Sequence, residues 1–242
     1  MNNRLFKKDD NKKLRENREL ALENGDVIRK QIKGLMKIGQ RNFAHYQINR
    51  DPIRGKIPEG MIEEIIVKSI ECGKEEAEKL RNKYGDLPIQ DIAKNLGLKV
   101  EYRDRQDAMD FVYFGLFETP NNIIIYEGNI GEATSLLKEL RIDYFKVDFR
   151  DIVLAHEIFH FIEENDKDLY TNSFKIDLWS LGKLYTHRSR LLSTGEIAGM
   201  SFSKTLLNLD FDPNILDYIF LAAFDFEKAN KLFESMMKYN RV

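Results

Sequence analysis

One apolar run that carries two histidines and a glutamate constrains this chain more than any other stretch. The run is DIVLAHEIFHFIEE, residues 151–164, with His156, Glu157 and His160 near its centre. Its composition predicts a helix that is apolar nearly all round and therefore belongs in a core. Burying three polar side chains there without partners is costly. The run therefore predicts that a metal ion and further hydrogen bonds compensate these groups.

The spacing of the three polar residues indicates which chemistry they support. In a helix, residues four apart lie about 40° apart around the axis and about 6 Å apart along it. His156 and His160 therefore project from one face and can bind one ion, and zinc accepts histidine nitrogens. Glu157 points about 100° away, where its carboxylate can exchange protons with a water molecule. This H-E-x-x-H pattern is typical of metalloproteases and predicts Zn²⁺ as the cofactor.

A catalytic zinc site needs a third protein ligand and an open position. Glu196 is the preferred candidate, because it opens a second predicted helix that can pack against the first. His187 is an alternative ligand, and Tyr185 and His187 are the nearest candidates for a group that stabilises an oxyanion. Glu163 and Asp166 occupy the places of the glycine and third histidine in a metzincin motif, and neither residue type matches.

Glu196 also has a purely structural interpretation. The stretch Ser193-Thr194-Gly195-Glu196 fits a capping box, in which the glutamate bonds back to the cap residue. Gly199 and Ser203 favour the ligand role, because small side chains one turn apart permit the close helix approach that a shared metal needs. Both interpretations stay open at this point.

The remaining apolar pattern predicts an α+β fold. Helical spacing covers residues 61–84 and 195–208, and alternation predicts a strand over 98–102. The stretches 111–117 and 122–127 are predicted to pair as an antiparallel hairpin, because turn residues separate them. We therefore predict helices around a small antiparallel sheet.

Proline and glycine cluster in residues 49–60, which predicts a boundary there. Residues 1–60 are then a helical, basic N-terminal extension of unknown role, with a net charge of +7, and residues 61–242 form the main domain, with a net charge of −9. A basic arm can touch nucleic acid, but a solvated helix is the simpler interpretation. QDIAKNLGLKV, residues 90–100, resembles only the first half of a helix-turn-helix, so direct nucleic-acid binding is not expected.

Three observations bear on the cellular compartment. Cys72 is the single cysteine, so no intrachain disulfide can form. The charged start MNNRLFKKDDNKK lacks the apolar core of a secretory signal, and no apolar run reaches the length of a membrane span. We therefore expect a cytoplasmic protein with no membrane partner.

Two quoted stretches together resemble a known family. LAHEIFHFI followed by EIAGMSFSKTLL is similar to the ImmA/IrrE family of zinc metallopeptidases, whose motif helix is followed by an E-x-x-A-x-x-F-A segment. The upstream order, LPIQDIAKNLGLKV and then a hairpin ending in NIIIYEGN, is similar too, so the resemblance covers about residues 61–208. This chain departs from the family at Phe159, where glycine is usual, and at Gly199, where alanine is usual.

The resemblance implies a gluzincin-like, and thus zincin-like, metallopeptidase fold for residues 61–242. It implies that His156, His160 and Glu196 bind zinc and that Glu157 is the general base and acid. It further implies limited proteolysis of a protein partner, a helix-turn-helix transcriptional repressor. The alternative is a zinc-containing regulator that binds a protein without cutting it.

Overall fold

Helices enclose a small three-stranded sheet, and a separate two-stranded sheet lies near the C-terminal third of the chain. The computed structural model describes residues 3–104, 112–181 and 185–239, and the side chains within these ranges except those of 3–11, 180–181 and 185–186. This architecture confirms the α+β class. None of the described helices is both long and apolar enough to cross a membrane.

The N-terminal segment forms helices α1 (Asn3–Glu23), α2 (Gly25–Leu35) and α3 (Gln40–Arg50), followed by two short 3-10 helices, Arg54–Lys56 and Glu59–Met61. These helices are not solvated on all sides, because their apolar side chains share one core with side chains from the C-terminal helices. The buried residues of this segment in that core are Ala21, Ile28, Ile32, Leu35, Ile38, Phe43 and Tyr46.

Helix α4 (Ile62–Tyr84) matches the helix predicted over residues 61–84. Gly85 ends it with a φ of 62°, which glycine adopts without steric cost. Helix α5 (Ile89–Asn95) begins after Pro88, whose fixed φ suits a helix start.

The three-stranded sheet contains β1 (Lys99–Arg103), β2 (Gly115–Glu118) and β3 (Asn122–Tyr126), in the order β1-β3-β2. The predicted pairing of the two hairpin strands is confirmed, since β2 and β3 are antiparallel. The prediction of a purely antiparallel sheet is wrong, because β1 runs parallel to β3.

The composition of β3 explains why this strand has a neighbour on each side. Ile123, Ile124 and Ile125 are all buried, so both faces of this strand are covered, as is typical of a central strand. A hairpin pattern alone does not indicate which edge a third strand joins, and β1 takes the remaining side of β3.

Helix α6 (Glu127–Glu139) leads to α7 (Phe149–Asn165), which contains the motif. Asp148 caps α7, because its carboxylate accepts a hydrogen bond from the backbone N–H of Arg150 at 2.9 Å. A short helix α8 (Tyr170–Ser173) follows.

The rest of the chain forms the second sheet and the closing helices. Strands β4 (Ile176–Leu181) and β5 (Tyr185–Ser189) pair antiparallel. Helix α9 (Leu192–Leu206) agrees with the helix predicted over 195–208, and α10 (Ile215–Phe224) and α11 (Phe226–Met237) close the described chain.

Candidate metal centre

Helix α7 holds the motif inside the core. Its apolar side chains are buried on several sides, which fixes the rotation of the helix about its axis. With that rotation, the His156 and His160 side chains are 14% and 23% exposed, so both lie at the edge of the core. The buried residues that flank them are Ile152, Val153, Leu154, Ala155, Ile158 and Phe159.

Helix α9 supplies Glu196, and glycines bring this helix unusually close to its neighbours. A Cβ atom on Gly73 of α4 would lie 2.0 Å from the carbonyl oxygen of Ala198, and one on Gly199 would lie 2.8 Å from Nδ1 of His156. Gly199 therefore permits the close approach of α9 to the motif helix, as its small size predicts.

The ligand atoms of three side chains from the two helices converge on one point. Nε2 of His156 lies 3.0 Å from Nε2 of His160 and 3.5 Å from Oε2 of Glu196, and Oε1 of Glu196 lies 3.8 Å from Nε2 of His160. Ligands of a tetrahedral zinc ion at 2.0–2.1 Å are about 3.3 Å apart, close to these separations. His156, His160 and Glu196 can thus hold a metal ion.

The capping-box interpretation of Glu196 does not hold. Leu191 is the N-cap of α9 and makes no side-chain cap bond. Ser193 is instead tied to Asp51, whose Oδ2 accepts from the Ser193 backbone N–H at 2.9 Å and from its hydroxyl at 2.8 Å. Because a distant carboxylate caps this helix, the Glu196 side chain is free to face the two histidines.

The electrostatics of the cluster favour a cation. Burial opposes protonation of His160, but the hydrogen bond to Glu163 and the charges of Glu196 and Glu157 outweigh burial and raise the pKa of His160 to about 9. Partial burial opposes ionisation of Glu196, yet its interactions with His156 and His160 lower its pKa to about 2. In the metal-free protein the cluster thus attracts positive charge, which a metal ion also supplies.

Glu163 orients one of the ligands, a role that the sequence interpretation missed. Its Oε2 lies 3.2 Å from Nδ1 of His160, on the opposite side of the ring from Nε2. A proton on Nδ1 that is donated to this carboxylate leaves a lone pair on Nε2 for a metal. The i, i+3 spacing of His160 and Glu163 on a helix is the signal that could have indicated this contact.

Glu157 projects from α7 towards strand β2, and its carboxylate also interacts with the charges of His156, His160 and Glu196. It is 8% exposed, and the backbone N–H of Phe117 donates a hydrogen bond to it. A Cβ atom on Gly115 would lie 2.7 Å from Oε1 of Glu157, so only glycine permits this approach. Burial raises the pKa of Glu157, which suits a group that both accepts and returns a proton.

The register of β2 turns some of its backbone groups away from β3, on the side next to Glu157. The N–H of Tyr126 donates to the carbonyl of Phe114, so hydrogen-bonded pairs with β3 fall at every second residue from Phe114. The backbone groups of Gly115 and Phe117 therefore point away from β3, towards the outer edge of the sheet. That edge lies next to the buried carboxylate.

Phe159, the bulky residue within the motif, is accommodated in the core. It is fully buried, and its ring centroid lies 5.7 Å from that of Phe202 on α9. A Cβ atom on Gly199 would lie 3.4 Å from its ring. The phenyl ring thus fills space between α7 and α9.

The two remaining candidates lie on β5. His187 stacks on Trp179 of β4, with ring centroids 5.7 Å apart, and it does not belong to the three-residue ligand group. The backbone of Tyr185 pairs with Leu181, while its side chain lies outside the described part of the chain. Their roles at an oxyanion remain predictions.

Comparison of the chain with protein-family models, with curated proteins and with solved structures gives no match.

Proposed function

We propose that this protein is a zinc metallopeptidase with a zincin-like fold, and that it cuts a regulatory protein. The observation that carries the proposal is the convergence of His156, His160 and Glu196 on one point, with the buried carboxylate of Glu157 on the same helix. Two imidazole nitrogens and one carboxylate oxygen match the ligand set of catalytic zinc sites such as that of thermolysin.

The site supports a catalytic rather than a closed structural ion. The described group contains three ligands, and the Glu196 side chain is 44% exposed, so one side of the cluster faces solvent. A bound zinc ion supplies Lewis acidity, which activates a water molecule and polarises a carbonyl group. A non-catalytic site with four protein ligands would need a further one, and His187 is not in the group.

Glu157, Glu163 and Gly115 have separate roles in the proposed reaction. Glu157 accepts a proton from the attacking water and later delivers it to the leaving amine, and its raised pKa brings it closer to neutral pH for both steps. Glu163 holds the His160 ring in place through Nδ1. Gly115 allows β2 to cover Glu157 and to keep bulk water from it.

The outer edge of β2 supports a peptide as the substrate class. An extended peptide can add to a sheet edge through main-chain hydrogen bonds. The outward-facing backbone groups of Gly115 and the carbonyl group of Phe117 would hold such a strand next to Glu157. A substrate peptide bond would then lie close to both the general base and the metal.

The sequence resemblance to the ImmA/IrrE metallopeptidases supports a narrower proposal about the partner. That family implies limited proteolysis of a helix-turn-helix transcriptional repressor in the cytoplasm, and we extend this expectation to the present chain. The resemblance rests mainly on the two stretches around His156 and Glu196. These stretches supply the three residues of the metal centre.

The test of this proposal is to incubate the purified, zinc-loaded protein with a candidate helix-turn-helix repressor, and a repressor found in a neighbouring gene would be the first choice. We expect the repressor to be cut at one or a few positions, and we expect a zinc chelator or Glu157→Gln to abolish the cleavage. Cleavage that persists in Glu157→Gln would contradict the assigned role of this residue. Stable binding of the intact repressor without any cleavage would favour the non-catalytic regulator.

A further inference from the structure

A cavity of about 390 Å³ adjoins the metal centre on the side of Glu196. The end of α3 and the residues that follow it line the cavity through Gln47, Arg50 and Asp51, and α9 lines it through Ser193 and Glu196. Asp217 of α10 also lines it. The N-terminal segment, whose role the sequence does not indicate, thus contributes directly to the surroundings of a metal ligand.

Most polar groups of the cavity are already engaged. Asp51 accepts three hydrogen bonds, two from Ser193 and one from the backbone N–H of Ile53 at 3.0 Å. The side-chain amide of Gln47 donates to Asn214 at 2.7 Å. These groups have little capacity left for a ligand.

Arg50 is the exception. Its guanidinium donates to the hydroxyl of Tyr46 and lies over the Tyr46 ring, 5.1 Å from the centroid. Among the described residues it makes no ion pair within 4 Å, and it is the one cation that lines this cavity. A guanidinium offers five N–H donors in a planar fork that fits a carboxylate. Most of those donors therefore stay available to a ligand.

Three carboxylates in the lining oppose an anionic ligand, those of Asp51, Glu196 and Asp217. Asp51 is engaged by Ser193, and Glu196 faces the two histidines. Asp217 lies in the first turn of α10, where the helix dipole offsets part of its negative charge. An acidic group is therefore favoured at the Arg50 guanidinium itself, and a metal ion at the adjoining centre would add to that attraction.

We infer that this cavity binds a carboxylate of the substrate through Arg50, next to the bond that is cut. This inference rests on the proposed peptidase function and adds a substrate class to it. The carboxylate can come from an acidic side chain next to the scissile bond or from the free C-terminus of the substrate. Arg50 is a specificity residue in either case, because it contacts the substrate away from the reacting atoms.

Small hydroxamates that anchor on zinc can test this without any catalysis. The first pair of probes is identical except for a glutamate or a glutamine side chain, and the second pair differs in a free C-terminal carboxylate or a carboxamide. Binding to the zinc-loaded full chain is measured by calorimetry. We expect the acidic member of one pair to bind about tenfold tighter, as hydrogen bonds between charged groups typically provide.

Variants of Arg50 and Asp217 test which residues cause the preference for the acidic probe. Arg50→Gln should abolish it, Arg50→Lys should retain only part of it, and Asp217→Asn should increase it by removing a like charge. Arg41→Gln is the matched control, because Arg41 is an exposed arginine on the same helix and does not line the cavity. Melting curves of all variants establish that they are folded.

The outcomes separate this inference from the peptidase proposal. Equal affinity within both pairs, a preference that survives in Arg50→Gln, or no binding of any probe would overturn the inference. The protein could instead show an Arg50-dependent preference for the acidic probe and yet cut no member of a peptide library. That result would contradict the peptidase proposal but support carboxylate binding by Arg50.

Discussion

At the scale of single residues, Glu163 is a sensitive test of the metal centre, because it would influence a bound ion through His160. Its carboxylate lies 3.2 Å from Nδ1 of that ring. We expect Glu163→Ala to weaken zinc affinity about 10- to 100-fold, as is usual for partners of metal-bound histidines. Competition with a chromogenic chelator measures the affinity.

Glu164→Ala is the control for this change. Glu164 is exposed and contacts Lys167 at 3.3 Å, so its loss should leave zinc affinity unchanged. Glu163→Gln should fall between the wild type and Glu163→Ala, because an amide oxygen can still accept from Nδ1. Equal zinc affinity in Glu163→Ala and the wild type would contradict the orienting role.

The raised pKa of His160 predicts how metal binding depends on pH. In the metal-free protein His160 holds a proton up to a pH of about 9, so a metal ion must displace that proton below this value. Zinc affinity should therefore rise with pH between 7 and 9, by at most about tenfold per pH unit for one proton. Calorimetry in buffers of different ionisation enthalpy counts the released protons, and no proton release at pH 7 would contradict this expectation.

At the scale of elements, Gly199 controls how closely α9 approaches the motif helix. A Cβ atom there would lie 2.8 Å from Nδ1 and 2.9 Å from Cε1 of His156. We expect Gly199→Ala to destabilise the fold by about 1–3 kcal/mol through overpacking and to weaken zinc binding, because His156 has to move. Urea unfolding and metal titration measure the two effects.

Gly131→Ala is a matched control for that substitution. Gly131 also lies within a helix, α6, and a Cβ atom there meets nothing within 4 Å. Alanine should stabilise this helix by about 0.5–1 kcal/mol. If both alanine variants stabilised the protein equally, the proposed close contact at Gly199 would be wrong.

Asp51 fixes the start of α9, the helix that carries Glu196. It is 6% exposed and accepts hydrogen bonds from the backbone N–H and the hydroxyl of Ser193. We expect Asp51→Ala to lower the free energy of unfolding by about 2 kcal/mol, because buried donors lose their partner. Asp26→Ala should change it by less than about 0.5 kcal/mol, since Asp26 is almost fully exposed. Chemical denaturation compares the two, and an equal loss would contradict the anchoring role.

How far the elements could be predicted from sequence depends on how local their signals are. The motif helix, the helix over 61–84 and the hairpin strands follow from apolar spacing and turn residues, which act over a few positions. The parallel pairing of β1 and the cap of α9 by Asp51 are long-range contacts. No spacing within either stretch encodes such contacts.

The same distinction applies to the residues of the site. His156, Glu157 and His160 fall within one turn and a half of a helix, so their spacing predicts their geometry. Glu196 required a guess about helix packing, and its carboxylate does meet the histidines. Arg50 could not be predicted, because nothing in the sequence places the end of α3 beside α9.

At the scale of the whole molecule, the N-terminal segment belongs to the same core as the motif. Phe43, Tyr46, Ile28 and Ile32 are almost completely buried in one cluster with Tyr218. We expect a chain that begins at Met61 to lose cooperative unfolding, because apolar side chains of the C-terminal helices would lose their partners. Heat-capacity measurements test this, and a chain of residues 61–242 that unfolds cooperatively and binds one zinc ion would contradict the expectation.

The measurement that tests the metal centre most directly is zinc content combined with zinc K-edge absorption on the purified full chain. We expect one zinc ion per chain, with two histidine nitrogens and carboxylate or water oxygens at about 2.0–2.1 Å. His156→Ala, His160→Ala and Glu196→Ala should each lose the ion, whereas Glu157→Gln should keep it. Zinc bound as tightly by Glu196→Ala as by the wild type, or a full chain that binds no zinc at all, would contradict the assigned ligands.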